Sequence, residues 1–107
     1  MKGTHLGEFE ELVLLTVGIL NGEAYGINVM DEIEAHTERK VSVSTIHATL
    51  YRLEEKGFIE SYTGDPSPTR GGRSKRLYRI NLEGQRALEK VRMQREKMWE
   101  LLPKNAF

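Results

Sequence analysis

The chain of 107 residues contains no cysteine. This absence excludes disulfide bonds and thiolate metal sites, and we expect such a chain in a reducing cytoplasm. The chain also has no apolar run close to the roughly 20 residues that a transmembrane helix requires. No apolar stretch follows the charged start, so we expect no secretory signal. The length fits a single domain, and these absences predict that it has no membrane segment.

The sequence also lacks the patterns of common catalytic and metal sites. Its three histidines are scattered, with no His-x-x-x-His pair, and no paired carboxylates coincide with a plausible cleft. His47 has no nucleophile and acid near it that would make it a general base. The pair Gly71-Gly72 is not followed by Lys-Ser or Lys-Thr at the spacing of a P-loop. We therefore predict no enzymatic activity, no metal and no cofactor.

A net charge of either sign is lacking as well, but the charges are unevenly distributed. Residues 1–38 hold one base and eight acids, whereas residues 39–107 hold fifteen bases and eight acids. The two parts therefore carry −7 and +7. Such asymmetry indicates a polyanion as partner of the basic part, although charges on a solvated face would produce the same pattern.

Apolar periodicity predicts three helices, a hairpin and a fourth helix. The first three helices are expected at about residues 6–20, 25–37 and 43–56, with Asn21-Gly22 and Gly57 as ends. Strands at 58–63 and 76–81 flank a segment rich in glycine and proline. The last helix is expected to begin after Asn81 and to run to about residue 102, before Pro103. The predicted fold is mainly α with a small β-hairpin.

The same periodicity predicts the buried face of each of the first three helices. The predicted residues are Phe9, Leu12, Val13, Thr16, Ile19 and Leu20 on the first helix, Ile27, Met30 and Ile33 on the second, with Val29 at its edge, and Ile46, Leu50 and Leu53 on the third.

The opposite face of the third helix begins with small, hydrogen-bonding side chains. Ser44, Thr45 and Ala48 would let the first turns approach base edges in a major groove. An ordinary amphipathic helix with a bland outer face would show the same pattern. The predicted DNA contacts on this helix are Ser42, Ser44, Thr45, His47, Ala48, Thr49, Tyr51 and Arg52. Ser42 and Ser44 are also both candidate N-caps.

Five bases and no acid lie between residues 69 and 79. This composition suits a loop that follows a phosphate backbone or enters a minor groove, and the two glycines would permit close approach. A solvated loop with incidental charge is the alternative. The predicted DNA contacts of the hairpin are Arg70, Gly71, Gly72, Arg73, Lys75 and Arg76.

The last helix carries apolar residues at a three-and-four spacing, which Arg95 interrupts. A domain this small has little surface left to bury them, so we predict that a second copy does so. Folding back onto its own domain is the alternative. The predicted dimer interface comprises Phe9, Leu12, Leu88, Val91, Arg95, Met98, Trp99 and Leu102. Trp99 is also a hypothetical wall of a small-molecule effector pocket at that interface.

Several segments together resemble the PadR-type transcriptional regulators. They are Tyr25-Gly26, residues 31–34 (DEIE), residues 42–59 (SVSTIHATLYRLEEKGFI), residues 64–76 (GDPSPTRGGRSKR), residues 78–81 (YRIN) and Gly84. The resemblance covers roughly residues 6–90 and is closest to compact members with one C-terminal helix. The helix followed by Gly-Phe-Ile occurs in many winged helices, whereas its combination with Arg-Gly-Gly-Arg is more specific.

The resemblance implies a winged helix-turn-helix in residues 1–81 and a dimerisation helix in residues 82–107. It also implies a recognition helix at 43–56, a wing at 58–81, and a homodimer that represses promoters. A homodimer would be expected on a palindromic site in double-stranded DNA. The family commonly has Tyr where this chain has His47, and a polar residue where it has Tyr51, so the base preference does not follow. The alternative function is a winged-helix module that binds protein; the basic hairpin favours DNA.

Overall fold

The computed structural model of the chain describes residues 5–64 and 75–107. Its elements follow in the order α1 (Glu8–Ile19), α2 (Gly26–Thr37), α3 (Val43–Glu55), β1 (Ile59–Thr63), β2 (Arg76–Ile80) and α4 (Leu82–Leu101). This order confirms the predicted mainly helical fold with one hairpin. The predicted ends differ from the observed ones by two residues at most.

The core lies where α1, α2 and α3 pack on one another, and the hairpin closes one side of it. Its fully buried side chains include Leu14 of α1, Ile33 of α2 and Leu50 of α3. Burying one such side chain stabilises the folded state by about 1.5–3 kcal/mol. The predicted buried residues of α3, Ile46, Leu50 and Leu53, are confirmed, each with no exposed surface.

Two predicted core positions were wrong. On α2, Val29 is fully buried and Ile27 is 49% exposed, the reverse of the predicted arrangement. On α1, Ile19 is 60% exposed, while Leu14 and Val17, outside the predicted stripe, are buried. Both helices carry more apolar residues than one face can hold, so periodicity alone could not select the buried ones.

Helix α3 ends at Gly57, which has a φ of 82°. The amide of Gly57 donates to the carbonyl oxygen of Glu54, and the amide of Phe58 donates to that of Leu53, both at 3.0 Å. This is the Schellman arrangement, in which a left-handed residue satisfies the last carbonyls of a helix. It also turns Phe58 back into the core, so that Phe58 precedes the first strand instead of starting it.

The two strands form an antiparallel hairpin whose register pairs Ile59 with Ile80 and Thr63 with Arg76. The amide of Tyr78 donates to the carbonyl oxygen of Ala24 at 2.8 Å, which adds a one-residue bridge from the α1–α2 connection. The hairpin is therefore attached to the start of α2 as well as to the end of α3.

Helix α4 begins at Asn81, whose side-chain oxygen accepts the amide of Gly84 at 2.9 Å. Its first half packs on the core through Ala87, Leu88 and Val91. From Arg92 onward every residue is exposed. The helix thus leaves the domain after about three turns. At Gly84 its backbone closely approaches the carbonyl group of Phe58.

We predict that Gly84→Ala destabilises the protein by about 2 kcal/mol or more. A methyl group at this position would lie 2.2 Å from the carbonyl oxygen of Phe58, which is backbone and cannot rotate away. Urea unfolding followed by circular dichroism measures the change.

Gly18→Ala is the matched control, because nothing lies within 4 Å of a methyl group there. Replacing this helical glycine should stabilise the protein by up to about 1 kcal/mol. Equal effects of the two substitutions would contradict the proposed close approach at Gly84.

Candidate nucleic-acid interface

The start of α3 is held by Ser42, which is the N-cap of the helix. Its Oγ accepts the amide of Thr45 at 3.2 Å and lies 3.1 Å from Ser44 Oγ and 2.9 Å from Thr45 Oγ1. Ser44, the other candidate cap, is the second residue of the helix. Three exposed hydroxyl groups are therefore concentrated at the exposed N-terminal turn of α3.

The outer face of α3 is set by the burial of its inner face. Ser44, Thr45, His47, Ala48, Tyr51 and Arg52 are all exposed, as the sequence predicted. The first two turns present only small side chains and His47, whereas Tyr51, at 62% exposure, is a large side chain further along. The backbone of α3 is accordingly most accessible at its N-terminal half.

Thr49 is the exception among the residues predicted to contact DNA on α3. It is fully buried. Its Oγ1 donates to the carbonyl oxygen of Thr45 at 2.9 Å and accepts from the Arg52 guanidinium at 3.2 Å. The structure therefore corrects the prediction that Thr49 contacts DNA. Its buried hydroxyl group orients the Arg52 guanidinium, and Thr49 presents no surface to a base or phosphate.

Arg52 also takes part in an ion-pair cluster that joins α3 to the start of α1. Its Nε lies 3.5 Å from Glu10 Oε2, and Lys56 Nζ lies 2.7 Å from Glu10 Oε1. Lys56 also donates to the carbonyl oxygen of His5 at 2.7 Å, and Glu10 accepts the amide of Gly7 at 2.8 Å. Glu10 is only 8% exposed. The charge of this carboxylate is thus balanced by both cations of the last turns of α3.

These contacts change the acidity of Glu10. Burial raises the pKa of its carboxyl group, but the hydrogen bonds from Lys56 and Gly7 and the charges of Lys56 and Arg52 outweigh burial, so the pKa is lowered overall. Glu10 is therefore ionised in the folded protein at neutral pH.

The start of α2 lies against α3 at His47. A methyl group on Gly26 would be 2.6 Å from the His47 ring, so the imidazole occupies the space that the missing side chain leaves. Tyr25, the residue before α2, donates its amide to Asn28 Oδ1 at 2.7 Å. The N-terminus of α2, with the positive end of its helix dipole, thus borders the outer face of α3.

The loop end of the hairpin strands, next to the Thr63–Arg76 pair, reaches the same surface. Lys75 Nζ lies 3.7 Å from the centroid of the Tyr25 ring, a cation–π contact. The amide of Gly64 donates to the carbonyl oxygen of Lys75 at 2.8 Å, which holds the hairpin closed there. The other residues predicted to contact DNA at the tip, Arg70, Gly71, Gly72 and Arg73, lie outside the described residues.

Arg76 has an ion-pair partner and a hydrogen-bond partner that its place in the basic run did not indicate. Its guanidinium lies 3.3 Å from Glu54 Oε1 and donates to Ser61 Oγ at 3.0 Å. Arg79 lies 3.5 Å from Glu60 in the same way. The run has no acid in sequence, but the fold brings acids from α3 and β1 to two of its bases.

The predicted dimer residues fall into two groups. Phe9, Leu12, Leu88 and Val91 are partly buried against the core of their own chain. Arg95, Met98, Trp99 and Leu102 are exposed beyond it on α4, with Met98 and Trp99 each 66% exposed. The first half of α4 therefore folds back onto its own domain, which was the alternative prediction, and the second half is exposed among the described residues.

The geometry above is that of a winged helix with an accessible third helix. The sequence profile of the Transcriptional regulator PadR-like family matches residues 14–90 of the chain. The chain belongs to this family.

Two solved PadR family structures agree with this chain in fold, and one further protein resembles it in sequence. A PadR family transcription regulator from hypervirulent Clostridium difficile R20291 is 20% identical, with a TM-score of 0.72 over 89% of this chain and 94% of that one. One from Eggerthella lenta DSM 2243 is 25% identical, with a TM-score of 0.68 over 87% of this chain and 80% of that one. An uncharacterized protein from Lysinibacillus sphaericus is 33% identical over 87 residues, which are 79% of this chain and 75% of that protein.

Membership of the PadR-like family confirms that the chain is a transcriptional regulator and not an enzyme. No group of three or more His, Asp or Glu residues is placed to hold a metal ion in residues 5–64 and 75–107. Within the same ranges no helix is long and apolar enough to span a bilayer.

Sequence reasoning missed three features of this PadR-like surface. Tyr25 and Gly26 were noticed only as part of the resemblance, although they place the start of α2 beside α3. Nothing near Glu10 in the sequence indicates that it pairs with Arg52 and Lys56, because these residues are 42 and 46 positions away. Leu15, 44% exposed on α1, extends the apolar area near Trp99. Of these three features, only the Tyr25-Gly26 pair could have been detected from neighbouring residues in the sequence.

We predict that Glu10→Gln lowers the free energy of unfolding by about 1–3 kcal/mol at pH 7. A carboxyl group whose pKa is lowered in the folded state stabilises it above the unfolded value of 4.5, and this contribution is lost as the pH falls through the folded-state pKa. The difference between the native chain and the variant should therefore shrink as the pH falls below 4.5. Urea unfolding at a series of pH values measures it.

Glu11→Gln removes the same charge from the neighbouring position, where the described residues offer no ion pair. It should change stability much less and without the same dependence on pH. Equal losses of stability in the two variants at pH 7 would contradict a stabilising role of the ion-pair cluster around Glu10.

Proposed function

We propose that this PadR-like regulator acts as a homodimer that represses transcription by binding a palindromic operator. The observation that carries the proposal is the exposed start of α3, where Ser44, Thr45 and Ala48 lie on one accessible face. Hydroxyl groups can donate to or accept from base edges, and Thr and Ala methyl groups can contact the methyl group of thymine. Small side chains also let the helix approach the floor of a major groove closely.

The elements beside α3 have the charge that a phosphate backbone requires. The positive end of α2 and the ammonium group of Lys75 lie at Tyr25, on the same side of the domain as His47. Arg70 and Arg73 follow from the sequence as further cations of the hairpin, and Arg52 is half exposed at the end of the surface. We assign base contacts to the start of α3 and phosphate contacts to the hairpin and α2.

Dimerisation is supported by the uncovered half of α4. Met98, Trp99 and Leu101 are 66%, 66% and 74% exposed, which is unusual for a set of large apolar side chains on one helix of a monomer. A second copy of the same helix would cover them. Two copies of α3 would then lie about 34 Å apart, the spacing of successive major grooves on one side of DNA.

The same interface is where the predicted effector site would lie. A groove of about 390 Å³ runs between α1 and α4, with Leu15, Leu88 and Trp99 among its walls. Its size is within the range of small-molecule pockets. An apolar effector held there would contact both the core of one chain and, in a dimer, the exposed half of α4.

We predict that Ala48→Leu lowers the affinity for operator DNA at least about tenfold, because a leucine side chain would prevent close approach of α3 to the groove floor. Fluorescence anisotropy with labelled operator DNA measures the affinity, at two salt concentrations. Native binding should weaken steeply with salt, as expected for several phosphate contacts.

Ala35→Leu is the control, since Ala35 is exposed at the other end of α2. It should leave DNA affinity unchanged. Undiminished binding by the Ala48→Leu variant, or binding that does not depend on salt, would contradict the assignment of α3 and the hairpin. Binding of a protein partner instead of DNA would favour the alternative winged-helix function.

We predict that Met98→Glu converts the dimer to a monomer in sedimentation velocity experiments, because it places a charge in the middle of the apolar surface. Lys97→Glu, one residue away, changes charge by a larger amount but removes no apolar side chain and should remain dimeric. A dimeric Met98→Glu variant would locate the interface elsewhere.

A further inference from the structure

The imidazole of His47 leans from α3 onto Gly26, the first residue of α2. A methyl group on Gly26 would lie 2.6 Å from Cε1 and 2.7 Å from Nε2 of the ring, closer than non-bonded atoms approach. The ring can therefore take this place only because residue 26 has no side chain. Gly26 is buried and His47 is exposed, so the contact lies at the edge of the outer face of α3.

The hydrogen-bonding capacity of this ring is unused. Neither ring nitrogen of His47 has a hydrogen-bond or ion-pair partner in residues 5–64 and 75–107. A neutral imidazole can donate one hydrogen bond and accept another, and the protonated ring can donate two. Packing against Gly26 thus restrains the ring while both nitrogens stay available to a partner.

The position of the ring favours the DNA backbone over a base. In a helix-turn-helix the second helix enters the major groove, and the helix before it crosses the backbone. The His47 ring contacts that preceding helix, α2, and so lies on the side of α3 where phosphates are expected. Lys75 reaches the same junction, because its Nζ lies 3.7 Å from the centroid of the Tyr25 ring, next to Gly26.

We propose that His47 contacts a DNA phosphate and that Gly26 is the positioning residue of its imidazole. This assignment rests on the proposed function, because it requires that α3 binds DNA. An imidazolium forms a charge-assisted hydrogen bond to a phosphate, which is stronger than the bond of a neutral ring. Histidine side chains ordinarily change charge between about pH 5 and 8. DNA binding through His47 therefore takes up a proton and strengthens as the pH falls.

The other ionisable groups at this junction do not produce such a pH dependence. Glu23, Tyr25 and Lys75 lie at or beside the start of α2, and Tyr51 follows His47 by one turn of α3. Carboxylates, phenols and ammonium groups ordinarily keep their charge between about pH 6 and 8. A change of DNA affinity in this range that requires His47 therefore reports on its imidazole.

The test measures binding of the full chain to labelled random-sequence DNA duplexes by fluorescence anisotropy, at constant salt, between about pH 8 and pH 6. The native affinity should rise about threefold or more over this range, the gain expected for one exposed charge contact. His47→Gln and Gly26→Ala should each remove most of this rise. The urea unfolding midpoint of Gly26→Ala should not fall, because the exposed His47 side chain can rotate away from the new methyl group.

His36→Gln is the matched control, since His36 is an exposed histidine at the far end of α2, 3.0 Å from Glu32. It should keep the native rise in affinity. In the His47→Gln background, Gly26→Ala should have no further effect on binding. A Gly26→Ala variant with the native rise would overturn the positioning by Gly26, and a His47→Gln variant with it would overturn the phosphate contact.

Two further measurements separate the parts of the proposal. His47→Gln should weaken binding at about pH 6 for all duplexes alike, as expected for a phosphate contact. A changed sequence preference among the bound duplexes would make His47 a base contact instead. Without DNA, a nuclear Overhauser effect between His47 Hε1 and Gly26 Hα should be present, and its absence would overturn the positioning by Gly26. A native chain that binds no DNA would contradict the proposed function and the phosphate contact, whereas the NMR result depends on neither.

Discussion

The packing of Ile46, Leu50 and Leu53 into the core determines which side chains of α3 face outward and so which surface the domain offers to a partner. These three side chains fix the rotation of α3 about its axis, because exposing any of them would cost about 1.5–3 kcal/mol. Once that rotation is fixed, Ser44, Thr45 and Ala48 face outward and Thr49 faces inward. The turn at Gly57 then directs the chain into the hairpin, and Lys75, at the loop end of its strands, contacts Tyr25 just before α2. The candidate interface is therefore a consequence of the core.

The charges of this surface are only partly available to a partner. Arg52, Arg76 and Arg79 each have an acid of their own chain within 3.5 Å. The pairs of Arg76 and Arg79 are exposed and weak, so a phosphate can replace the carboxylate at little cost. The pair of Arg52 differs because its acid, Glu10, is buried and shared with Lys56. Arg52 is thus restrained more strongly than Arg76 and Arg79.

Helix α4 combines two tasks that are separate in many proteins. Its first half completes the core, and Gly84 allows the backbone approach that this requires. Among the described residues its second half is exposed, although the Phe107 ring stacks on Trp99, and the apolar surface there extends onto α1 through Leu15. A second chain on this surface would therefore touch the same domain that holds α3. Assembly and DNA contact would then be mechanically linked through one helix.

The order of elements, the ends of the helices and the inner face of α3 followed from the sequence, because caps, glycines and apolar spacing act over a few residues. The resemblance to PadR-type regulators rested on equally local motifs. The sequence did not distinguish Ile27 from Val29 on α2, or show that Thr49 is buried. It also did not reveal that Glu10 belongs with Arg52 and Lys56, or that Glu54 reaches Arg76. These features depend on which faces of distant segments meet, and only the packing of the helices and the hairpin in three dimensions decides that.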